Sequence, residues 1–414
     1  MRHLQIPLSI LRLLTESRPF TNYVMYGLLL LMFSFVGGAL VELILPLDTK
    51  KYLYRAVVLI PGLILLPVQL AQKKFHVFLL PACYLLFGTI STCWSYPHGY
   101  QQLLSVFEYS LYAISFLAII TYAYDHYKSL ENHFLLLFNL TTIAVISDIV
   151  HYAFFQGGNR LSGSLGTLNP GIGAMIYAIC ALLALQQIKK QKVLLNLESF
   201  MLLFAVFTSI TALFLTGSRA SLLSLLVASF ILCLIQRRAR IYVLSFGVFL
   251  AAVFTGLLIN NFKHPESRFE KPLEQMVERS TVSNRLPIWQ RHLSLMDSGA
   301  FFYGRGISVN DNSIYNKKKR HPHNLFLSSF YYLGGVGLLL HLVMFSRIVI
   351  QSYSDFINNS FLLPCLLSLS FLPSIFGGIG IHPYLDGISP ELLTFWFIYA
   401  ISCIKMISWR TSNQ

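Results

Sequence analysis

Apolar runs of about twenty residues, separated by short polar breaks, recur along the whole chain, and that is the length a helix needs to cross a bilayer core. Setting apolar windows against the breaks predicts about twelve transmembrane helices. They fall near residues 22–44, 54–70, 75–93, 103–123, 133–155, 168–188, 198–216, 220–236, 241–260, 324–346, 360–378 and 388–407. One stretch departs from the pattern. Residues 261–322 form a long polar loop in which two segments, one opening at Pro272 and one at Pro287, carry apolar residues at helical spacing behind a proline suited to a first helical turn. Both are expected as short helices lying over the membrane surface, followed by a Gly304-Arg305-Gly306 turn and a basic run from Lys317 to Arg320. The chain thus divides into 1–260 with nine spans, 261–322 as the long loop, and 323–414 with the last three spans.

Composition agrees with an all-α polytopic membrane protein: 55% of the 414 residues are hydrophobic and only 12% charged. The net charge of +14 could suggest nucleic acid as a partner, but the basic residues flank spans, where they set topology against membrane lipids. Fifteen of the 31 lie in alternate loops counted from the N-terminus, and only Lys50, Lys51, Arg55, Arg160 and Arg219 lie in the opposite short loops. By the positive-inside rule both termini are cytoplasmic, and the long loop with its 11 basic residues is external. The first twenty residues read as a cytoplasmic amphipathic lead-in, with no small-residue cleavage site. All six cysteines fall within apolar segments without a CxxC pair, and read as small core hydrophobes.

Four places put Arg or His on the external side of this greasy chain. Arg160 lies in Gly157-Gly158-Asn159-Arg160, Arg219 closes the tight turn Thr216-Gly217-Ser218-Arg219, Arg285 precedes the second loop helix, and His323 opens the apolar run that follows the loop. A guanidinium in so short a turn as that of Arg219 sits near hydrocarbon with no acid beside it, so it either snorkels to headgroups, pairs with a distant carboxylate such as Asp148 or Asp386, or awaits an anion. Converging arginines suit a diphosphate, because the planar fork grips phosphate oxygens in pairs. Arg160 and Arg285 are equally well read as solvated surface residues.

His323 is expected at an outward-pointing helix N-terminus, whose free N–H groups favour an anion and a neutral, proton-accepting imidazole. At 100° per residue Gly334 and Gly337 would share its helical stripe, letting a neighbouring helix pack closely beneath it. A histidine merely capping the helix is the plain alternative, and His264, His292, His321 and His341 are read as structural. Asn324 and Asp386 are further candidates for contacting substrate, although a turn aspartate is often only solvated. Glu42, Glu108 and Asp148 lie in or near spans, where either function or helix-end pairing explains an acid. No Walker lysine, HExxH or Gly-x-Ser-x-Gly motif is present, nor an external Asp-x-Asp pair, and no cofactor or metal is expected.

The order of these motifs resembles the O-antigen ligase and polymerase superfamily of bacterial envelope glycosyltransferases. His323-Asn324, nine residues, Gly334, two residues and Gly337 fits the ligases' His-Asn-x9-Gly-x-x-Gly pattern, and the turn at Arg219, the Arg160 to Pro170 loop and the Ser283 to Trp289 segment resemble its accompanying elements. The resemblance covers about residues 160–345. It implies a lipid-dependent GT-C-type glycosyltransferase fold in the bacterial inner membrane, with the active site on the periplasmic side. It further implies transfer of O-antigen polysaccharide from undecaprenyl diphosphate to a sugar hydroxyl of lipid A core. The essential histidine maps to His323, the essential arginines to Arg219 and Arg285, and Arg160 falls to substrate binding. An O-antigen polymerase is the near alternative, and a lipid-linked oligosaccharide transporter or flippase shares the span count. A transporter, however, should place charge at the bilayer midplane in two related halves, whereas these charges gather on one face.

Overall fold

The computed structural model describes residues 13, 15–24, 26–27, 52, 55–72, 74–95, 100–126, 142, 145–146, 149–150, 177–178, 181, 197–216, 219–235, 286–307, 322, 324–360, 362–376 and 390–412. Every regular element among them is helical: a π-helical turn Arg55–Leu59 leading into α1 (Ile60–Ala71), then α2 (Phe75–Ser91), α3 (Tyr100–His126), α4 (Leu197–Leu215) and α5 (Arg219–Ile235), α6 (Leu286–Ser294) and α7 (Ser298–Tyr303) in the long loop, and α8 (Leu325–Ile357), α9 (Leu362–Phe376) and α10 (Pro390–Ser412). Apart from α8, which runs to Ile357 and well past its window, the boundaries follow the apolar windows to within about five residues, because the polar breaks are where helices can end in water or headgroups. Among the described residues, α3 and α8 are apolar enough over sufficient length to cross a membrane, and α1, α2, α4, α5, α9 and α10 are shorter apolar helices. The expected spans 22–44, 133–155, 168–188 and 241–260, and the loop helix after Pro272, lie wholly or largely outside the described residues.

The outer face of this bundle is itself apolar: Leu79, Leu86 and Ile90 of α2 and Leu223, Leu226 and Phe230 of α5 are exposed. That corrects one expectation. Cys365 and Cys403 are buried, but Cys83 and Cys93 are exposed, since in a membrane helix an apolar neighbourhood does not imply a core position. Glu108 takes the structural alternative, accepting from Arg55 Nε at 3.0 Å and Nη2 at 2.8 Å across α3 and the π-helical turn.

A larger correction concerns the span expected over 324–346. α8 is not one rod. Gly334 has φ 63° and ψ −162°, a conformation essentially restricted to glycine, and the chain reverses there. The rings of Phe326 and Phe345 stand 5.3 Å apart and those of Phe326 and His341 5.7 Å, whereas on a straight helix the first pair would be separated by about 28 Å. Residues 325–333 therefore form a short arm folded back along a crossing arm of residues 335–357, and the latter, about 34 Å long, can span the bilayer by itself. Ser329 Oγ closes the hairpin on His341 Nδ1 at 2.5 Å and reaches Tyr84 of α2 at 3.1 Å. Gly337, on the opposite side of the reversal, is required for a different reason than a neighbouring helix: a Cβ there would lie 2.0 Å from the Cβ of Leu333 in its own hairpin.

Candidate active site

The end of the long loop wraps the short arm of α8. α7 is capped by Asp297, whose carboxylate accepts from the Ala300 amide at 2.7 Å, and α7 ends at Gly304 with φ 75°. The turn that follows supplies what the broken helix lacks. The reversal at Gly334 frees the carbonyls of Tyr331 and Tyr332, which accept instead from the amides of Arg305 at 3.0 Å and Gly306 at 2.9 Å. A Cβ on Gly334 would stand 2.3 Å from the Phe302 carbonyl oxygen, so the close approach expected at this glycine is real but is made by the loop, not by another span. The expected Gly304-Arg305-Gly306 turn is present, with Gly306 at φ 77°, and the Ile307 amide donates to Ser91 Oγ at 3.1 Å at the end of α2.

α6 begins at Leu286, directly after Arg285, with Pro287 in its first turn as the sequence predicts. Its His292 is 1% exposed, with Nδ1 2.7 Å from the Ile288 carbonyl and its ring edge-on to Tyr331 at 4.8 Å, which is a packing role. Arg305 Nη1 donates to the Leu295 carbonyl at 2.6 Å, closing α6 and α7 into one unit. From the other end of this unit, Trp289 Nε1 donates to the carbonyl of Pro322 at 2.8 Å. Sequence reasoning missed that contact, since Trp289 and Pro322 are separated by more than thirty residues and neither side signals the other.

Asn324 is the N-cap of α8. With φ −147° and ψ 128° it is extended, and its Oδ1 accepts from the amides of Phe326 at 3.1 Å and Leu327 at 3.0 Å. Such a cap is worth about 1 kcal/mol. Its Nδ2 donates to the Ile375 carbonyl at 3.2 Å, in the last turn of α9. The side chain placed among the substrate contacts on sequence grounds is thus engaged with the fold on both its polar atoms. Gly334 is not helical, so Gly334 and Gly337 do not share one continuous helical stripe. The short arm runs antiparallel to the crossing arm, which sets Asn324 about 15 Å back from the tip of the hairpin.

His323, Arg285, Arg160 and Asp386 lie outside the described residues. The backbone of Arg219 opens α5, which packs along α9, with Cys365 Sγ 3.4 Å from the Ala228 carbonyl. What the structure brings together is the chain around them. The carbonyl just before His323 is held by the helix that starts just after Arg285, and the residue just after His323 is held by the end of α9, beyond which the 377–389 segment with Asp386 begins.

No curated protein matches the chain. Residues 204–342 match the family model described as O-antigen ligase. The matched stretch runs from within α4 through α5, the long loop and the hairpin, and takes in Arg219, Arg285, His323, Asn324, Gly334 and Gly337. Over those residues the chain is similar to the O-antigen ligase family.

Proposed function

We propose that this protein is the O-antigen ligase of a bacterial inner membrane, moving O-antigen polysaccharide from undecaprenyl diphosphate to a sugar hydroxyl of lipid A core on the periplasmic side. The acceptor oxygen attacks the anomeric carbon while His323 takes its proton. The anomeric C–O bond breaks toward the diphosphate, which leaves with the electron pair, and direct displacement inverts the anomeric centre. Arg219 and Arg285 hold the departing diphosphate, with Arg160 and Asp386 contributing to donor and acceptor binding. The observation that carries this reading is the tie between Trp289 and the Pro322 carbonyl, which brings the helix following Arg285 against the chain entering His323.

A positioned base contributes about a hundred- to ten-thousand-fold. Removing one preorganised donor to developing negative charge costs about 3 to 4 kcal/mol. Since a diphosphate already leaves readily, the arginines carry at least as much of the rate as the base. Glycosyl transfer here requires no group beyond these side chains and the two lipid substrates. The test is the lipopolysaccharide gel profile of a strain lacking this protein. Bare lipid A core with accumulating lipid-linked polymer is the ligase result, whereas cores carrying a single repeat would assign the protein as a polymerase.

A further inference from the structure

The geometry points to Trp289 as a positioning residue for His323, tying the chain that enters His323 to the helix that follows Arg285. The inference rests on the roles proposed above for His323 and Arg285.

Three features single it out. First, the Trp289 indole N–H donates to the Pro322 carbonyl at 2.8 Å, and that carbonyl belongs to the peptide unit that enters His323. Second, the helix carrying Trp289 begins at Leu286, the residue that follows Arg285 in the chain. One hydrogen bond therefore couples the segment that bears the proposed base to the segment that bears a proposed phosphate ligand. Third, both sides of the contact are anchored independently of it. α6 is held by Arg305 on the Leu295 carbonyl and by His292 against Tyr331, and the residue after His323 is held by Asn324 on the Ile375 carbonyl. With the flanks fixed in this way, losing the Trp289 bond need not unfold the loop. It releases one degree of freedom, the peptide ahead of His323.

That is the kind of freedom catalysis tolerates least. A displacement of about 1 Å between reacting groups can cost about a hundredfold in rate while leaving substrate affinity nearly intact. Trp289 would act through His323 and touch no substrate, so its signature lies in kcat and not in KM.

The full-length protein, reconstituted in proteoliposomes with undecaprenyl-diphosphate-linked O-polysaccharide and lipid A core, tests this. Trp289→Phe retains an aromatic ring without the donor, and replacement of Trp289 by 3-benzothienylalanine retains the bicyclic shape and removes only the N–H. Both should lower kcat by about ten- to a hundredfold with KM for each substrate within threefold and the thermal midpoint unchanged. In a His323→Ala background the benzothienylalanine replacement should cause no further loss. Wild-type kcat in the benzothienylalanine protein, a raised KM at unchanged kcat, or an undiminished effect in the His323→Ala background would each overturn the assignment. His323→Ala retaining wild-type transfer would be a different result, removing the base reading itself, and an inactive wild-type protein in this assay would remove the proposed function.

Discussion

Ser329 and His341, twelve residues apart on what the sequence presents as one helix, face each other across a hairpin at 2.5 Å between Oγ and Nδ1. Both are fully buried, and the same hydroxyl lies 3.1 Å from Tyr84 Oη on α2. The contact ties the short arm to the crossing arm and to the neighbouring helix. Ser329→Ala should destabilise the protein by about 1 to 3 kcal/mol, because it leaves a buried imidazole nitrogen without its partner. Thermal unfolding in detergent reads this directly, and an unchanged midpoint would mean the two residues do not meet.

A hairpin and a rod also differ in distance. Cysteines introduced together at positions 326 and 345 of a cysteine-free protein should cross-link with a short bifunctional reagent, since the two rings now occupying those positions are 5.3 Å apart. A straight helix would separate them by about 28 Å, beyond the reach of any such reagent. Absence of intramolecular cross-linking in folded protein would rule out the reversal.

Gly334→Ala asks an L-residue to adopt φ 63° and ψ −162° and to place a methyl group 2.3 Å from the Phe302 carbonyl oxygen. The strained backbone alone costs about 1 to 3 kcal/mol, and the overlap would push the loop turn off the carbonyls it caps. The substitution should lower the thermal midpoint and expose the 286–307 segment to protease added from the loop side. Protection equal to wild type would mean the loop does not depend on this close approach.

At the far end of the crossing arm, Lys405 Nζ lies 2.5 Å from Asp355 Oδ2, and Gln351 donates to the other carboxylate oxygen at 3.0 Å. Asp355 is 6% exposed, so Lys405→Ala leaves a nearly buried carboxylate without its counter-charge and should cost about 3 to 5 kcal/mol. Replacing the pair together, Lys405→Met with Asp355→Leu, should restore most of that loss. Equal thermal midpoints for the single and double variants would show that the pair is not what holds α10 to the hairpin.

For the chemistry, Arg219→Lys keeps the charge and loses the planar fork, and polymer transfer should fall at least tenfold in a strain carrying that allele at normal protein level. His323→Ala should reduce it further. Wild-type polymer attachment with lysine at 219 would mean that the side chain serves headgroups and not the diphosphate.

The bundle itself was legible in the sequence. α2, α5 and α9 begin and end close to their apolar windows, and Pro287 announced the helix that follows Arg285, because helix ends are set locally by where polar groups can find water and by which residues tolerate a first turn. The turn at Gly304 and Gly306 was legible for the same reason. The candidate site was legible only as residue types in order. Asn324 was read as a substrate contact, yet its amide spans from its own helix to the end of α9, and nothing near Asn324 in the chain names Ile375 as its acceptor. Glu108 and Arg55 likewise needed the fold to be seen as a pair.

By itself the sequence determined that the described apolar segments are helices and that a polar stretch precedes His323 in the chain, since hydropathy along the sequence suffices for that. Tertiary structure alone decided that the segment after His323 turns back at Gly334 and that α6 reaches Pro322. Residues 325–333 and 335–345 are apolar whether they continue or reverse, so hydropathy cannot tell a rod from a hairpin. The choice is made by a glycine-only backbone conformation, by loop amides that satisfy the two freed carbonyls, and by a serine and a histidine that meet only once the chain has folded back.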